Sequence, residues 1–171
     1  MAPDETRGSG SRPQALAWVA AVAMLATFVT GLSVAGGSSR PLAALGLAFA
    51  VVGIPLAWWP MFTLRRHGRP PAGGSYMDAT ILVERGPFRL VRHPQYLGYM
   101  CFAMTLMLAG QHRWVLLAGL AAIALFYAHA RVEERELRRR FGEAYERYAA
   151  LVPRFNLPLG IFRRLRARDR C

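Results

Sequence analysis

Apolar and polar residues come in long blocks along this chain, not in short alternation. Residues 1–14 are polar and hold Pro, Gly and Ser, a composition that reads as a disordered lead-in. Ala15 to Gly36 carries no charge, and after the connection Ser38-Ser39-Arg40-Pro41, Leu42 to Leu64 carries none either. A bilayer core about 30 Å thick needs roughly 20 apolar residues to cross it, so each run predicts a membrane-spanning helix. The first run is longer than the h-region of a signal peptide. Pro55 and Pro60 predict a kink in the second.

Between residues 65 and 93 the pattern breaks. Arg65, Arg66, Arg69, Arg85, Arg89 and Arg92, with Gly73 and Gly74, make a basic loop in which only Thr80 to Val83 favours an extended piece. Tyr96 to Gly110 and Trp114 to Ala130 are shorter apolar runs joined by the tight turn Gln111-His112-Arg113. They predict a helical hairpin, tilted or placed where the bilayer thins. From Arg131 onward Val132, Leu137, Phe141, Tyr145 and Tyr148 recur at helical spacing among Arg and Glu. That pattern predicts an amphipathic helix on the membrane surface, ended by Pro153. Arg163 to Cys171 reads as a basic, disordered tail. The expected fold is therefore all-α: a polytopic membrane helical bundle of about four spans with a C-terminal amphipathic helix. Its expected parts are a lead-in (1–14), two N-terminal spans (15–64), a core of basic loop, hairpin and amphipathic helix (65–158), and a basic tail (159–171).

Charge sharpens this picture. Basic residues outnumber acidic ones 22 to 10, and since the sequence contains no Lys every one of them is Arg. These Arg residues cluster beside apolar runs, which suits anionic lipid headgroups better than nucleic acid. The connections near Arg40 and Arg113 hold one each, whereas the basic loop and the C-terminal region hold most. The positive-inside rule then puts both termini and the basic loop in the cytoplasm. The Arg, Ala, Gly and Leu usage points to a GC-rich bacterial genome, hence to the inner membrane. Cys101 and Cys171 give neither metal spacing nor a disulfide framework, so no metal is expected.

Two charged segments can hold chemistry. The first is Gly86-Pro87-Phe88-Arg89-Leu90-Val91-Arg92-His93-Pro94-Gln95-Tyr96-Leu97-Gly98, where the basic loop enters a span. Pro94 suits the first turn of a helix, and a helix N-terminus favours a carboxylate or other anion. The alternative is a plain basic anchor with an interfacial aromatic. The second segment is His129-Ala130-Arg131-Val132-Glu133-Glu134. Acidic residues within a span are costly, and at its end the pair still wants a cationic partner. That partner is either a neighbouring Arg or the ammonium of a ligand. Adjacent helical residues point about 100° apart, so the two carboxylates face different surroundings.

These segments, with Phe141-Gly142, Tyr145, Tyr148 and Val152-Pro153-Arg154-Phe155, resemble the isoprenylcysteine carboxyl methyltransferase family, which belongs with the phospholipid methyltransferases. The resemblance runs from Thr80 to Pro158 and rests on Arg-His-Pro-x-Tyr-x-Gly, the hairpin, Glu-Glu and Phe-Gly-x-x-Tyr in that order. It implies an all-helical membrane enzyme that binds S-adenosyl-L-methionine in a cytoplasm-facing pocket. It further implies that Thr80, Ile81, Leu82, Val83, Phe88, His93, Pro94, Gln95 and Tyr96 line the cofactor, with Glu133 holding its amino group and Glu134 beside it. The family places an Arg one turn before the first Glu to grip a substrate carboxylate; here His129 stands there, with Arg131 two residues on. The pair His129 and Arg131 becomes the candidate catalytic set, and the acceptor stays open among a carboxylate, a thiol and an amine. The expected partners are a lipophilic or amphiphilic small molecule and membrane lipids, with no nucleic acid. Two other readings stand beside this one: a nicotinamide-dependent membrane reductase of the sterol reductase type, and a non-catalytic membrane adaptor.

Overall fold

The computed structural model describes residues 38–69 and 79–168, together with residues 19, 22, 24, 25, 27 and 29, which are helical. The lead-in, most of the first expected span and the Gly73-Gly74 pair fall outside the described residues. The described elements are α1 (Arg40–His67), a 3-10 turn (Gly86–Arg89), α2 (Pro94–Gly110), α3 (Arg113–Phe141), α4 (Glu143–Leu151) and α5 (Leu157–Arg168). No strand occurs among the described residues, and the all-α expectation is met.

Three local expectations are corrected. Thr80 to Val83 forms no strand; the Thr80 amide and hydroxyl instead turn back on the carbonyls of Gly68 (2.9 Å) and Arg69 (2.7 Å). The apolar run after the hairpin turn and the charged segment that follows form one 29-residue helix, α3. Its Arg and Glu residues are good helix formers, and no Pro lies among them to stop it. The stop comes at Gly142, whose φ of +53° is left-handed and whose N–H caps the Arg138 carbonyl at 2.9 Å. The amphipathic segment is therefore split between the end of α3 and the separate α4. Finally, the basic tail is helical as far as Arg168. Asn156 starts that helix by accepting the Leu159 N–H on Oδ1 at 3.0 Å.

The chain divides into two compact units, residues 1–48 with 103–134, and residues 49–102 with 135–171. In the first unit Val115, Gly119, Ala122, Phe126, His129, Ala130 and Glu134 form the buried stripe of α3. Their spacing of three or four residues is the helical repeat. A Cβ on Gly119 would collide with the Met107 side chain, so this glycine sets a close α2–α3 approach. The Thr105 hydroxyl donates to the Gly46 carbonyl at 3.0 Å. Ser39 and Gln111 exchange two hydrogen bonds, at 3.1 and 2.9 Å.

In the second unit α1 and α2 meet through small residues. A Cβ on Gly98 would lie 2.6 Å from the Ala57 nitrogen and 2.9 Å from the Gly53 carbonyl oxygen. This is the small-residue contact by which helices pack inside membranes, where apolar side chains gain nothing by leaving lipid. Helices α1 and α3 are long and apolar enough to cross a membrane. They leave large apolar side chains exposed, among them Leu45, Val51, Ile54 and Phe62 on α1 and Leu117 and Leu120 on α3. In a soluble protein such a surface would drive aggregation; against lipid it is the required face. The chain is a helical membrane bundle.

Candidate functional site

Within the second unit, the segment Gly86–Gly98 is held on several sides. Gly86 has a φ of +58°, and a Cβ there would lie 3.0 Å from the Thr63 hydroxyl. Pro87 is fully enclosed, and its carbonyl accepts from Leu90 (3.0 Å) and Val91 (3.2 Å). Beyond this turn the chain runs beside the residues that follow α4. The Arg92 N–H donates to the Pro153 carbonyl at 2.9 Å and the His93 N–H to the Arg154 carbonyl at 3.3 Å. From below, Tyr148 donates its hydroxyl proton to the Phe88 carbonyl at 2.7 Å.

Helix α2 begins at Pro94, as expected, with the Leu97 N–H bonded to the His93 carbonyl at 3.0 Å. This fixes the His93 ring at the helix start. The ring stacks on Tyr96 with centroids 5.6 Å apart and planes 9° from parallel, and Phe155 tilts against it at 5.8 Å. Both His93 and Tyr96 are buried. Gln95 donates from Nε2 to the Tyr99 hydroxyl at 2.8 Å. The result is a rigid aromatic platform at a helix N-terminus, with donors and π faces suited to an anionic group and to a cation respectively.

Of the preceding loop, Val83 is buried, and Leu82 packs on the cluster of Tyr145, Tyr148 and Val152. Thr80 and Ile81 are exposed. The expected lining residues His93, Pro94, Gln95 and Tyr96 thus lie together at the start of α2, with Phe88 in the 3-10 turn before it, while Thr80 and Ile81 are exposed on the loop. Phe155 and Tyr148 belong to the platform's support although no role was assigned to them from sequence. Phe155 stands in the Val152-Pro153-Arg154-Phe155 run, but nothing along the chain shows which ring it meets.

The first unit carries the other charged group. On α3, His129 and Glu134 lie on the buried stripe, and Glu134 is completely enclosed. Glu133 is half-buried, and Arg131 is exposed. The two adjacent carboxylates therefore do have different surroundings, as the helical turn of about 100° per residue requires. Among the described residues no group of His, Cys, Asp and Glu could hold a metal ion.

The phospholipid methyltransferase family model matches residues 42–144. That span takes in α1 from its third residue, the Arg92–Gly98 motif and the Glu133-Glu134 pair. The chain is also similar to the protein-S-isoprenylcysteine O-methyltransferase of Schizosaccharomyces pombe, at 38% identity over 74 residues. Those residues are 43% of this chain and 31% of the yeast protein, so the alignment spans about a third of that relative's length. No solved structure matches. A family match across more than half of the chain, carried by a helical membrane bundle with the motif's His93 and Tyr96 stacked at a helix start, establishes that this chain belongs to the phospholipid methyltransferase family.

Proposed function

We propose that this chain is an S-adenosyl-L-methionine-dependent methyltransferase whose acceptor is a lipophilic or amphiphilic small molecule reaching it from the bilayer. The observation that carries this reading is the family match over residues 42–144. The residues present suit the cofactor, which offers a sulfonium, an ammonium, a carboxylate and an adenine ring. The rings of Phe88, His93 and Tyr96 offer faces to a cation or a base. Together with Leu82, Val83, Pro94 and Gln95, and with Thr80 and Ile81 at the loop's exposed edge, they are the proposed cofactor-binding set. Glu133 and Glu134 take the ammonium. His129 and Arg131 meet the acceptor.

When bound, S-adenosyl-L-methionine supplies an electrophilic methyl group. The protein's work is then to position the acceptor in line and to exclude water. A carboxylate or thiolate acceptor needs no general base. An amine or neutral thiol must lose a proton, which the imidazole of His129 or His93 can accept. A His in place of the family's Arg lacks a fixed charge and a bidentate fork, which disfavours strict selection of a carboxylate.

Calorimetry with S-adenosylhomocysteine tests this reading. The wild-type protein should bind it, and Glu133→Gln should weaken binding by about 1.5–3 kcal/mol, roughly ten- to hundredfold in Kd, without unfolding the protein. His129→Ala should keep that affinity but lose most turnover on a lipid extract supplied with radiolabelled cofactor. A wild-type protein that does not bind S-adenosylhomocysteine sinks the reading; unchanged affinity in Glu133→Gln removes that residue from the site.

We further infer that the basic segments face the cytoplasm of a bacterial inner membrane. The Arg asymmetry between segments supports this; the hydrogen bonds between Ser39 and Gln111 put those two connections at the same end of the first unit. Cysteines introduced at Ser38 and Gln111 should react with an impermeant reagent on intact cells, and one at Gly73 should not. Reaction at Gly73 from outside reverses the orientation.

A further inference from the structure

Helix α5 lies beyond residues 42–144 of the family match, and its surface is not that of a helix covered by protein. Residues 157–168 include four Arg and no acid. A Cβ on Gly160 would run into the Leu90 carbonyl, which fixes the inner side of the helix. At 100° per residue, Pro158, Ile161, Phe162 and Leu165 fall together on the far side, and all four are exposed. Phe162 and Leu165 leave 53% and 56% of their surface uncovered. Beside this stripe a groove of about 980 Å³ runs between α4 and α5, lined by Arg89, Arg147, Arg163, Arg164 and Arg166 with Glu84 as its acid. Phe162 belongs to both the stripe and the groove.

Only part of this charge is used internally. Arg163 closes the end of α4, donating from one nitrogen to the carbonyls of Ala150 (3.3 Å) and Leu151 (3.0 Å). Arg147 lies 3.5 Å from Glu143 in an exposed pair, the kind that water screens. The Arg166 guanidinium sits 4.9 Å above the Phe162 ring, so a cation is held directly at the edge of the apolar stripe.

We propose that α5 and this groove bind anionic phospholipid: Ile161, Phe162 and Leu165 enter the acyl region of the leaflet while the arginines take the negatively charged headgroup. An apolar stripe flanked by cations on a membrane protein is the pattern of an interfacial helix. Five guanidinium groups against one carboxylate select anionic over zwitterionic lipid by charge. This proposal does not depend on methyl transfer, and its test needs neither cofactor nor turnover.

The test uses the full chain in lipid nanodiscs, carrying Cys171→Ser and an environment-sensitive fluorophore on Leu165→Cys; Cys101 is buried and stays in place. The emission should shift to the blue as phosphatidylglycerol replaces part of the phosphatidylcholine. With Arg164→Gln and Arg166→Gln together, the apparent affinity for phosphatidylglycerol should fall at least tenfold, each Arg near an anionic surface counting for roughly fivefold. Arg163 is left intact because it caps α4. Phe162→Ser should weaken the shift through loss of the apolar anchor, which guards against misfolding of the arginine variant. Equal emission with and without phosphatidylglycerol overturns the proposal, as does an arginine pair variant that responds like its parent. A shift produced by inorganic phosphate in pure phosphatidylcholine overturns it in favour of a small-anion site.

Discussion

Replacing Gly98 with leucine should leave little or no folded protein after detergent extraction. The Cβ alone would sit 2.6 Å from the Ala57 nitrogen and 2.9 Å from its Cα. Both are backbone atoms of α1, so no rotamer change relieves the contact. Overpacking a core commonly costs about 1–3 kcal/mol, and an isobutyl group against backbone belongs at or above the top of that range. Gly98→Ala should already lower the melting temperature, because a methyl is enough to collide. The check is the monodisperse fraction on size-exclusion chromatography, together with the thermal midpoint followed by tryptophan fluorescence. A Gly98→Leu protein that elutes and melts like the wild type would show that α1 and α2 do not meet at these residues.

The second large effect is expected at Glu134. No part of this side chain reaches solvent, and a carboxyl removed from water has to find its hydrogen-bond partners inside the protein. Glu134→Ala leaves the groups around the carboxyl without it and opens a cavity, so stability should fall by about 2–5 kcal/mol. Glu134→Gln keeps the volume and one acceptor oxygen, and should fall between the two. Adjacent Glu133 is half-buried, and Glu133→Gln should melt close to the wild type. The contrast separates the pair by thermal unfolding alone. If the two single substitutions destabilise equally, Glu134 is not the enclosed member.

Much of this was legible from the chain. Uncharged runs gave the helices their approximate ends, because only a helix satisfies its own backbone in lipid. Pro94 marked the start of α2, since a proline at the first helical position sacrifices no hydrogen bond. What the sequence hides is of two kinds. Gly98 could be recognised as a motif residue, but its closeness to Gly53 and Ala57 depends on where another helix crosses it. The same holds for Phe155, whose meeting with His93 joins residues far apart in the chain. The second kind is local. The change from apolar to charged after Ala130 looked like a boundary between elements, yet polarity does not end a helix; Gly142 does. Likewise Arg163 to Cys171 reads as disordered from composition, yet as far as Arg168 it belongs to a helix that Asn156 caps.

The hydrogen bonds from Arg92 and His93 to Pro153 and Arg154 also bear on the order in which the molecule is made. A growing chain emerges from its N-terminus, and by the time α2 is complete the partner carbonyls have not been synthesised. The His93 ring has its helix and Tyr96, but not yet Phe155, and its backbone N–H does not yet have the Arg154 carbonyl. Closing that long loop waits until residues 153–155 have been synthesised and have left the ribosome. The signature motif is thus completed by residues far downstream of it, so products truncated before Pro153 carry the motif without the full platform.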